Sequence, residues 1–475
     1  MTRAPQTGAL SFFHLETSMT YRAPVKDMLF VMKELANLEA VAQLPGFEDA
    51  GLDTAQAVLE ECAKFNEDVV APLNWEGDIN PSFFKDGTVT ATPGFKQAFA
   101  QYTQGGWQGL HHPSDFGGQG LPKLIHSACQ EMVNAANMSF ALCPLLTDGA
   151  IEALLTAGSE AQKEAFIPKM IDGTWTGTMN LTEPQAGSDL AAVRTRAEPQ
   201  ADGTYKIFGT KIFITWGEHD MAENLVHLVL ARVVGAPEGV KGISLFIVPK
   251  FLVNADGSLG ARNDVHCVSI EHKMGIKASP TAVLQYGDHG GAIGYLVGQE
   301  NRGLEYMFVM MNAARFGVGT TAIQANDLIG RKTARDGGQT AKAIAAQIEA
   351  TEQALAARKS EAAQAFARRL GAARQAYLDV VDFVVGNTKA SPNAVFAGSV
   401  NYLMLAGNLV AGWQMGRALL AAEDRLAAGD DVSFMQAKIT TARFYGDHIL
   451  TRVPGLRDSI VDGAAGVTDM ALEAF

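Results

Sequence analysis

The spacing of apolar residues changes twice along this chain of 475 residues, and that change constrains the fold more than any other feature. Residues 26–38 (KDMLFVMKELANL), 53–74 and 340–386 repeat apolar side chains at the spacing of an amphipathic helix. Between them, runs such as residues 204–215 (TYKIFGTKIFIT) alternate bulky residues with small or polar ones, as strands do. We therefore predict an α+β protein with an N-terminal helical domain, a central antiparallel β-domain such as a small barrel, and a C-terminal helical domain.

These patterns divide the chain into five segments. We predict an N-terminal extension over residues 1–22, a helical domain over 23–175, a β-domain over 176–297, a short helical segment over 298–319 and a helical tail over 320–475. The second helix should begin at the candidate N-cap Asp53 and end near Pro72. Met19 opens a sequence that looks like a natural protein start, so residues 1–18 are expected to be a loose extension or a misassigned start.

Composition narrows the possible partners. The chain has 51 acidic and 38 basic side chains and a net charge of −13, which argues against a general nucleic-acid or anionic-membrane binder. Its four cysteines form no CxxC pair, so we expect buried free thiols and neither a disulfide framework nor a zinc–cysteine site. The longest uninterrupted apolar runs are too short to predict a membrane span.

Two segments carry most of the functional information. Residues 179–189 (MNLTEPQAGSD) form a polar turn after an apolar approach and offer the hydroxyls of Thr182 and Ser188. Residues 209–219 (GTKIFITWGEH) read as a strand that ends at Thr215. A polar turn beside an aromatic-rich strand end suits a flat heteroaromatic ring with polar edges.

The pair of segments resembles the flavin-binding middle domain of the acyl-CoA dehydrogenases, and the helical–β–helical order of nearly the whole chain is similar to that family. The tail is similar to the closing domain of the family's large bacterial branch, which includes enzymes for long-chain and methylthio acyl-CoA thioesters. The resemblance implies FAD as the cofactor and an acyl-CoA as the substrate. It also implies an electron-transfer flavoprotein as the acceptor, a homodimer or homotetramer, no nucleic-acid partner and a cytoplasmic location.

The resemblance assigns roles residue by residue. Thr182 would hydrogen-bond a polar edge of the ring, Ser188 would lie where a flavin phosphate and the CoA part of the thioester meet, and Thr215 would reach the N5/O4 edge of the ring. Phe213 would cover one ring face, although core packing is an open alternative for its side chain. The full predicted FAD set is Met179, Leu181, Thr182, Gly187, Ser188, Phe213, Ile214 and Thr215.

Residues 298–319 resemble the first long helix of the family's catalytic bundle. The resemblance places Asn312 and Arg315, together with Ser188, at the CoA part of the substrate. An ion-pair role is an open alternative for Arg315. Residues 111–123 (HHPSDFGGQGLPK) are predicted to be a loop, which resembles the family's Gly-rich loop near the acyl pocket or is an ordinary connector.

The catalytic base of the family has no counterpart in this chain. Dehydrogenation needs a carboxylate that removes the α-proton, and the family carries it as a Glu in a YEGT segment that does not occur here. The first bundle helix runs directly into the tail at Gly319-Thr320, and Ala314 occupies the position where some relatives carry the base instead. We therefore predict no catalytic residue, and an FAD-dependent acyl-CoA dehydrogenase with impaired activity. The alternative is a non-catalytic acyl-CoA or flavin-binding protein.

Overall fold

The structure is a computed structural model that describes residues 21–317, 321–469 and Glu473. The predicted extension over residues 1–18 and the predicted junction at Gly319-Thr320 lie outside the described residues.

Helices occupy both ends of the described chain, and strands occupy its middle. The α-helices are α1 Val25–Phe30, α2 Leu38–Val41, α3 Leu52–Phe65, α4 Pro72–Ile79, α5 Phe95–Gln104, α6 Lys123–Ala136, α7 Met138–Ala157, α8 Glu160–Ile171, α9 Gly303–Gly317, α10 Thr321–Asp327, α11 Gln339–Ala356, α12 Glu361–Asn387, α13 Pro392–Ala397, α14 Ser399–Ala427, α15 Val432–His448, α16 Val453–Val461 and α17 Ala464–Thr468. The strands are β1 Phe83–Lys85, β2 Thr88–Thr90, β3 Trp175–Asn180, β4 Arg196–Pro199, β5 Tyr205–Thr215, β6 Asn224–Val233, β7 Ile243–Pro249, β8 Phe251–Val253, β9 Leu259–Arg262, β10 Val265–Ile270, β11 Thr281–Tyr286 and β12 Ala292–Val297.

The predicted second helix differs from the structure at both ends. Helix α3 begins at Leu52, so Asp53 lies inside its first turn and is not the N-cap. A π-helical turn, Asn66–Val70, continues the helix, and Pro72 begins α4 at a position where its missing N–H costs nothing. Proline therefore starts a helix here where the sequence predicted that it would end one.

The central strands form an eight-stranded sheet in the order β10-β11-β5-β12-β7-β6-β3, and β4 pairs with both β5 and β6. Most pairs are antiparallel, as predicted, but β3 and β4 each run parallel to β6. The prediction of an antiparallel domain was wrong for these two pairs, because alternation within a strand does not reveal its direction relative to a neighbour. Strand β7 is buried along its whole length, as expected of a strand covered on both faces.

The chain forms two compact units. One contains residues 21–25 and Gln56–Met310, and the other contains Lys26–Ala55 with the described part of Met311–Phe475. In the second unit, α11, α12, α14, α15 and α16 surround a core of aliphatic and aromatic side chains. Lys26–Ala55 joins this unit, whereas the sequence pattern assigned it to the helical domain over residues 23–175.

Helix α7 is the core helix of the first unit and packs directly on β3. A Cβ atom on Gly177 of β3 would lie 2.4 Å from the Cβ of Ala150, so the two elements touch where neither has a large side chain. Among the described residues, α7 is also the one helix that is long and apolar enough to cross a membrane. Most of it is buried inside the unit, which is the usual environment of a core helix.

All four cysteines are buried and free, which confirms the prediction made from their spacing.

Candidate functional site

The turn after β3 is held by its own backbone. Glu183 and Ala186 exchange two N–H···O=C bonds of 3.0 Å, and the Asp189 carboxylate accepts a bond from the backbone of Ala191. Gly187 and Ser188 lie at the outside of this turn and are exposed. The turn is therefore fixed in shape, while Gly187 and Ser188 remain open to a ligand.

A buried ion pair ties this turn to β5. The Lys211 ammonium lies 2.8 Å from a carboxylate oxygen of Glu183 and donates a second bond of 2.9 Å to the carbonyl of Leu181. The same carboxylate accepts backbone bonds from Arg194 and Thr195 at 2.7 and 3.0 Å. The side chains of both ion-pair partners are almost wholly shielded from solvent.

The two charges shift each other's protonation. Burial lowers the pKa of Lys211 to about 8, although the Glu183 carboxylate opposes the effect. Burial alone would raise the pKa of Glu183, but the charge of Lys211 and the hydrogen bonds to the carboxylate outweigh it and lower that pKa. The pair is charged near neutral pH and fixes the turn against the strand.

The end of β5 turns an aromatic side chain outward. Phe213 has φ of +60° and Trp216 has φ of +52°, a conformation that bulky residues rarely adopt. Trp216 is buried, and its indole N–H donates a 3.0 Å bond to the carbonyl of Ser139. Phe213 is 56% exposed, so the alternative of core packing for this side chain is wrong.

Three hydroxyls of the predicted site have no hydrogen-bond partner in the part of the chain that the structure describes. They belong to Thr182 and Ser188 in the turn and to Thr215 at the end of β5. Thr182 and β5 are neighbours, because the Thr182 carbonyl accepts a 2.9 Å bond from the N–H of Ile212. Free hydroxyls beside an exposed aromatic ring fit a flat ligand with polar edges, such as the isoalloxazine ring of FAD.

The remaining residues of the predicted FAD set face the protein interior. Leu181 and Ile214 are buried, and Ile214 packs in the apolar core of the β-domain. Met179 is half-buried. A ligand at this site can therefore meet the backbone of Leu181 and Ile214, but not their side chains.

The predicted CoA-binding residues of α9 belong to the second unit. The Arg315 guanidinium donates a 3.0 Å bond to the side-chain oxygen of Asn312, as expected for residues three apart on one helix face. Asn312 is exposed and Arg315 is half-buried. Their role toward a CoA thioester stays a prediction.

Sequence reasoning missed Lys211 and Glu183 as a pair. A signal was present, since Lys211 occupies an inward position of β5 between Gly209 and Phe213, where a charge requires a partner. The partner could not be identified from the sequence, because Glu183 lies 28 positions away in a turn.

Comparison with known proteins identifies the class. The family description "Acyl-CoA dehydrogenase, N-terminal domain" matches residues 53–174, "Acyl-CoA dehydrogenase, middle domain" matches 178–288, and "Acetyl-CoA dehydrogenase C-terminal like" matches 341–471. These matches define a flavoprotein oxidoreductase that acts on acyl-CoA. The chain belongs to the acyl-CoA dehydrogenase family, which confirms the predicted fold class and FAD as the cofactor of the family.

The chain is similar to several characterised members. It is 40% identical to 3-methylmercaptopropionyl-CoA dehydrogenase of Ruegeria pomeroyi, over 94% of this chain and 98% of that protein. It is also 40% identical to the broad-specificity linear acyl-CoA dehydrogenase FadE5 of Mycobacterium tuberculosis, over 64% of this chain but only 50% of that protein.

The solved structure of Caenorhabditis elegans ACDH-11 in complex with C11-CoA has a TM-score of 0.53 at 18% identity. The match covers 100% of this chain and 78% of that one, and it supports the shared fold.

Proposed function

We propose that the chain binds FAD and an acyl-CoA thioester at the site formed by the turn after β3 and the end of β5, but lacks the base for α,β-dehydrogenation. The substrate would be 3-methylmercaptopropionyl-CoA or a fatty acyl-CoA. The main structural support for a flavin site is the exposed side chain of Phe213, whose backbone is strained. The free hydroxyl of Thr215 lies two residues further along the same strand. Strain of this kind is concentrated at ligand sites.

Each residue of the site would contact a different part of the ligands. Thr182 and Thr215 would donate hydrogen bonds to polar edges of the flavin ring, while Phe213 covers a face and excludes water from it. Ser188 and the backbone at Gly187 would hold a phosphate and the thioester. The bound flavin supplies the acceptor for the hydride that leaves the β-carbon.

We infer that this chain has no residue that removes the α-proton of the substrate. An α-proton beside a thioester is weakly acidic, so its removal requires a positioned carboxylate and donors to the thioester oxygen. The family's YEGT segment does not occur in the chain, and Ala314 cannot act as a base. Without a base, the free energy of activation stays high even when both ligands are bound.

The alignment with the Ruegeria pomeroyi protein supports the loss of an internal segment. It extends over 582 positions, which exceeds the 475 residues of this chain, so the relative has positions without a counterpart here. We infer that these include the helices that carry the base, between Gly319 and Thr320. We also propose that the protein is homo-oligomeric and cytoplasmic, and that its electron acceptor is an electron-transfer flavoprotein.

Turnover of acyl-CoA with an artificial electron acceptor tests this proposal. The matched control is a chimaera with the relative's extra segment inserted between Gly319 and Thr320. We expect FAD to bind to both proteins, and turnover only in the chimaera. Activity of the natural chain within about tenfold of the chimaera would show that a base is present after all, since loss of a general base costs roughly 10²–10⁴-fold.

The alternative, a non-catalytic acyl-CoA or flavin-binding protein, predicts a different result for the chimaera. In that case the chimaera would bind FAD and acyl-CoA but would remain inactive, because other catalytic requirements would also have been lost. Sequencing the DNA across the Gly319-Thr320 junction separates a true deletion from a misread gene.

A further inference from the structure

A cluster of three histidines and two carboxylates lies inside the first unit and takes no part in the proposed flavin site. His111 and His112 begin the Gly-rich loop, His126 belongs to α6, and Asp148 and Glu152 lie one turn apart on α7. The rings of His111 and His126 have their centroids 3.9 Å apart, and those of His111 and His112 are 4.1 Å apart. Three separate parts of the chain therefore bring their metal-binding side chains together.

Neighbouring side chains hydrogen-bond one oxygen of the Asp148 carboxylate, and the other oxygen faces His126. One oxygen accepts hydrogen bonds from Gln108 at 2.7 Å and from His112 at 2.9 Å. The other oxygen lies 3.4 Å from the Nε2 of His126. This arrangement matches a ligand carboxylate whose second oxygen is fixed by hydrogen-bonding partners outside the coordination sphere.

The imidazoles have unused nitrogens. The Nδ1 atoms of His111, His112 and His126 are all buried and have no hydrogen-bond partner among the described residues. The side chains of His111 and His112 are only 5% and 0% exposed, so solvent does not supply the missing partners. Buried polar atoms normally find a partner, and the orphaned Nδ1 atoms of His111 and His126 indicate an absent ligand beside these two rings.

We propose that His111, His126 and Asp148 bind one zinc ion, with water in the fourth position. One ligand atom from each residue lies within 4.8 Å of the others. Tetrahedral zinc with bonds of about 2.0–2.1 Å brings its ligand atoms to roughly 3.3 Å from one another, so a modest inward movement of the side chains completes the site. Two imidazoles with a carboxylate suit divalent transition metals, zinc and iron(II) among them, whereas magnesium and calcium prefer oxygen ligands alone.

The ion would connect three elements of the first unit. It would link the first residue of the Gly-rich loop to α6 and α7, and so fix the position of that loop. Glu152 is not counted as a ligand, because one of its carboxylate oxygens lies 2.7 Å from the Lys123 ammonium and 3.4 Å from the Nε2 of His111.

Zinc titration of chelator-treated protein, followed with a competing chromophoric indicator, tests the site. We expect one zinc ion per chain, and an affinity at least roughly 100-fold lower in His126→Gln. The matched control is the double variant His266→Gln/His289→Gln, which disables the surface group formed with Asp264. The control should bind zinc as the natural chain does. Absence of binding to the natural chain, unchanged binding to His126→Gln, or loss of binding in the control would each overturn the proposal.

X-ray absorption by the zinc-loaded control variant keeps the proposal testable if His126→Gln fails to fold. Two imidazole nitrogens and oxygen ligands are expected. A spectrum with sulfur ligands, or with oxygen ligands alone, would contradict the site. In thermal unfolding, added zinc should raise the midpoint of the natural chain and of the control, because an ion that binds only the folded state stabilises it.

Discussion

Phe213 is exposed and has a strained backbone, and the proposed flavin site gives a reason for both features. Its ring is 56% exposed and its backbone is strained, so neither burial nor conformation favours it in the free protein. A bound flavin ring would cover it and recover the apolar contact. In the proposed site, Phe213 would link a local backbone feature to flavin binding.

Phe213→Ala should weaken FAD binding by roughly three- to tenfold and leave thermal stability unchanged, because the lost contact exists only with the ligand. Fluorescence titration of the apoprotein with FAD measures the affinity. The control is Phe83→Ala, which removes a ring of similar exposure, 53%, on the β1–β2 hairpin. Equal effects of the two variants would argue against ring contact by Phe213.

Lys211→Met should destabilise the first unit by about 3–5 kcal/mol, since it leaves the Glu183 carboxylate buried without its counter-charge. The double variant Lys211→Met/Glu183→Gln should recover part of the loss, because no uncompensated charge remains. Denaturant unfolding of Lys211→Met, Glu183→Gln and the double variant gives the coupling energy. Additive losses would mean that the two side chains stabilise the turn independently.

The same pair predicts a pH dependence. The pKa of Glu183 in the folded chain is lower than the value of 4.5 in the unfolded chain, so its stabilising contribution is present above pH 4.5 and is lost as the pH falls through the folded-state pKa. Unfolding free energies of the natural chain should therefore fall more steeply below pH 4.5 than those of Glu183→Gln. Parallel curves for the two proteins would contradict this assignment.

At the scale of elements, the close packing of α7 on β3 positions the turn that follows β3. The backbone N–H of Gly177 donates a 3.1 Å bond to the hydroxyl of Thr147 on α7. A side chain at position 177 would occupy the space of Ala150. Helix and strand must therefore separate if the glycine is replaced.

Gly177→Ala should cost about 1–3 kcal/mol of stability and weaken FAD binding, because the strand that leads to Thr182 would shift. Gly275→Ala is the control, as a Cβ there meets no atom within 4 Å. Calorimetry and FAD titration measure the two effects. Stability equal to that of the control would show that the contact relaxes without cost.

The sequence predicted these elements better than their arrangement. The alternation in residues 204–215 identified β5, and the family resemblance of two motifs, residues 179–189 and 209–219, pointed to Thr182 and Thr215. It did not reveal the parallel pairing of β3 with β6, because each residue of β3 pairs with a residue 49 positions further along the chain. Nor did it reveal the histidine cluster, because His111, His126 and Asp148 come together only through tertiary packing.

At the scale of the whole molecule, domain order was predictable and the division into compact units was not. Residues 26–38 are largely helical, as their periodicity indicates, yet the segment Lys26–Ala55 to which they belong packs within the second unit. There Arg425 binds the Glu34 carboxylate at 2.6 Å, and Phe30 meets Phe434 edge-on at 5.9 Å. Such long-range pairing is specified by complementary surfaces, which the period of a helix does not describe.

The family relationship and the proposed defect also belong to this scale. The alignment covers 98% of the Ruegeria pomeroyi relative. It extends over 582 positions, which is more than the 475 residues of this chain. The account therefore predicts a protein that keeps its flavin site and has lost the carboxylate opposite it.

Anaerobic mixing of the FAD-loaded chain with acyl-CoA tests this central claim most directly, because flavin reduction reports the chemical step without an electron acceptor. The account predicts that acyl-CoA perturbs the visible flavin spectrum on binding and does not bleach it. Bleaching of the flavin by a stoichiometric amount of acyl-CoA would contradict the account, since it requires the base that we infer to be missing.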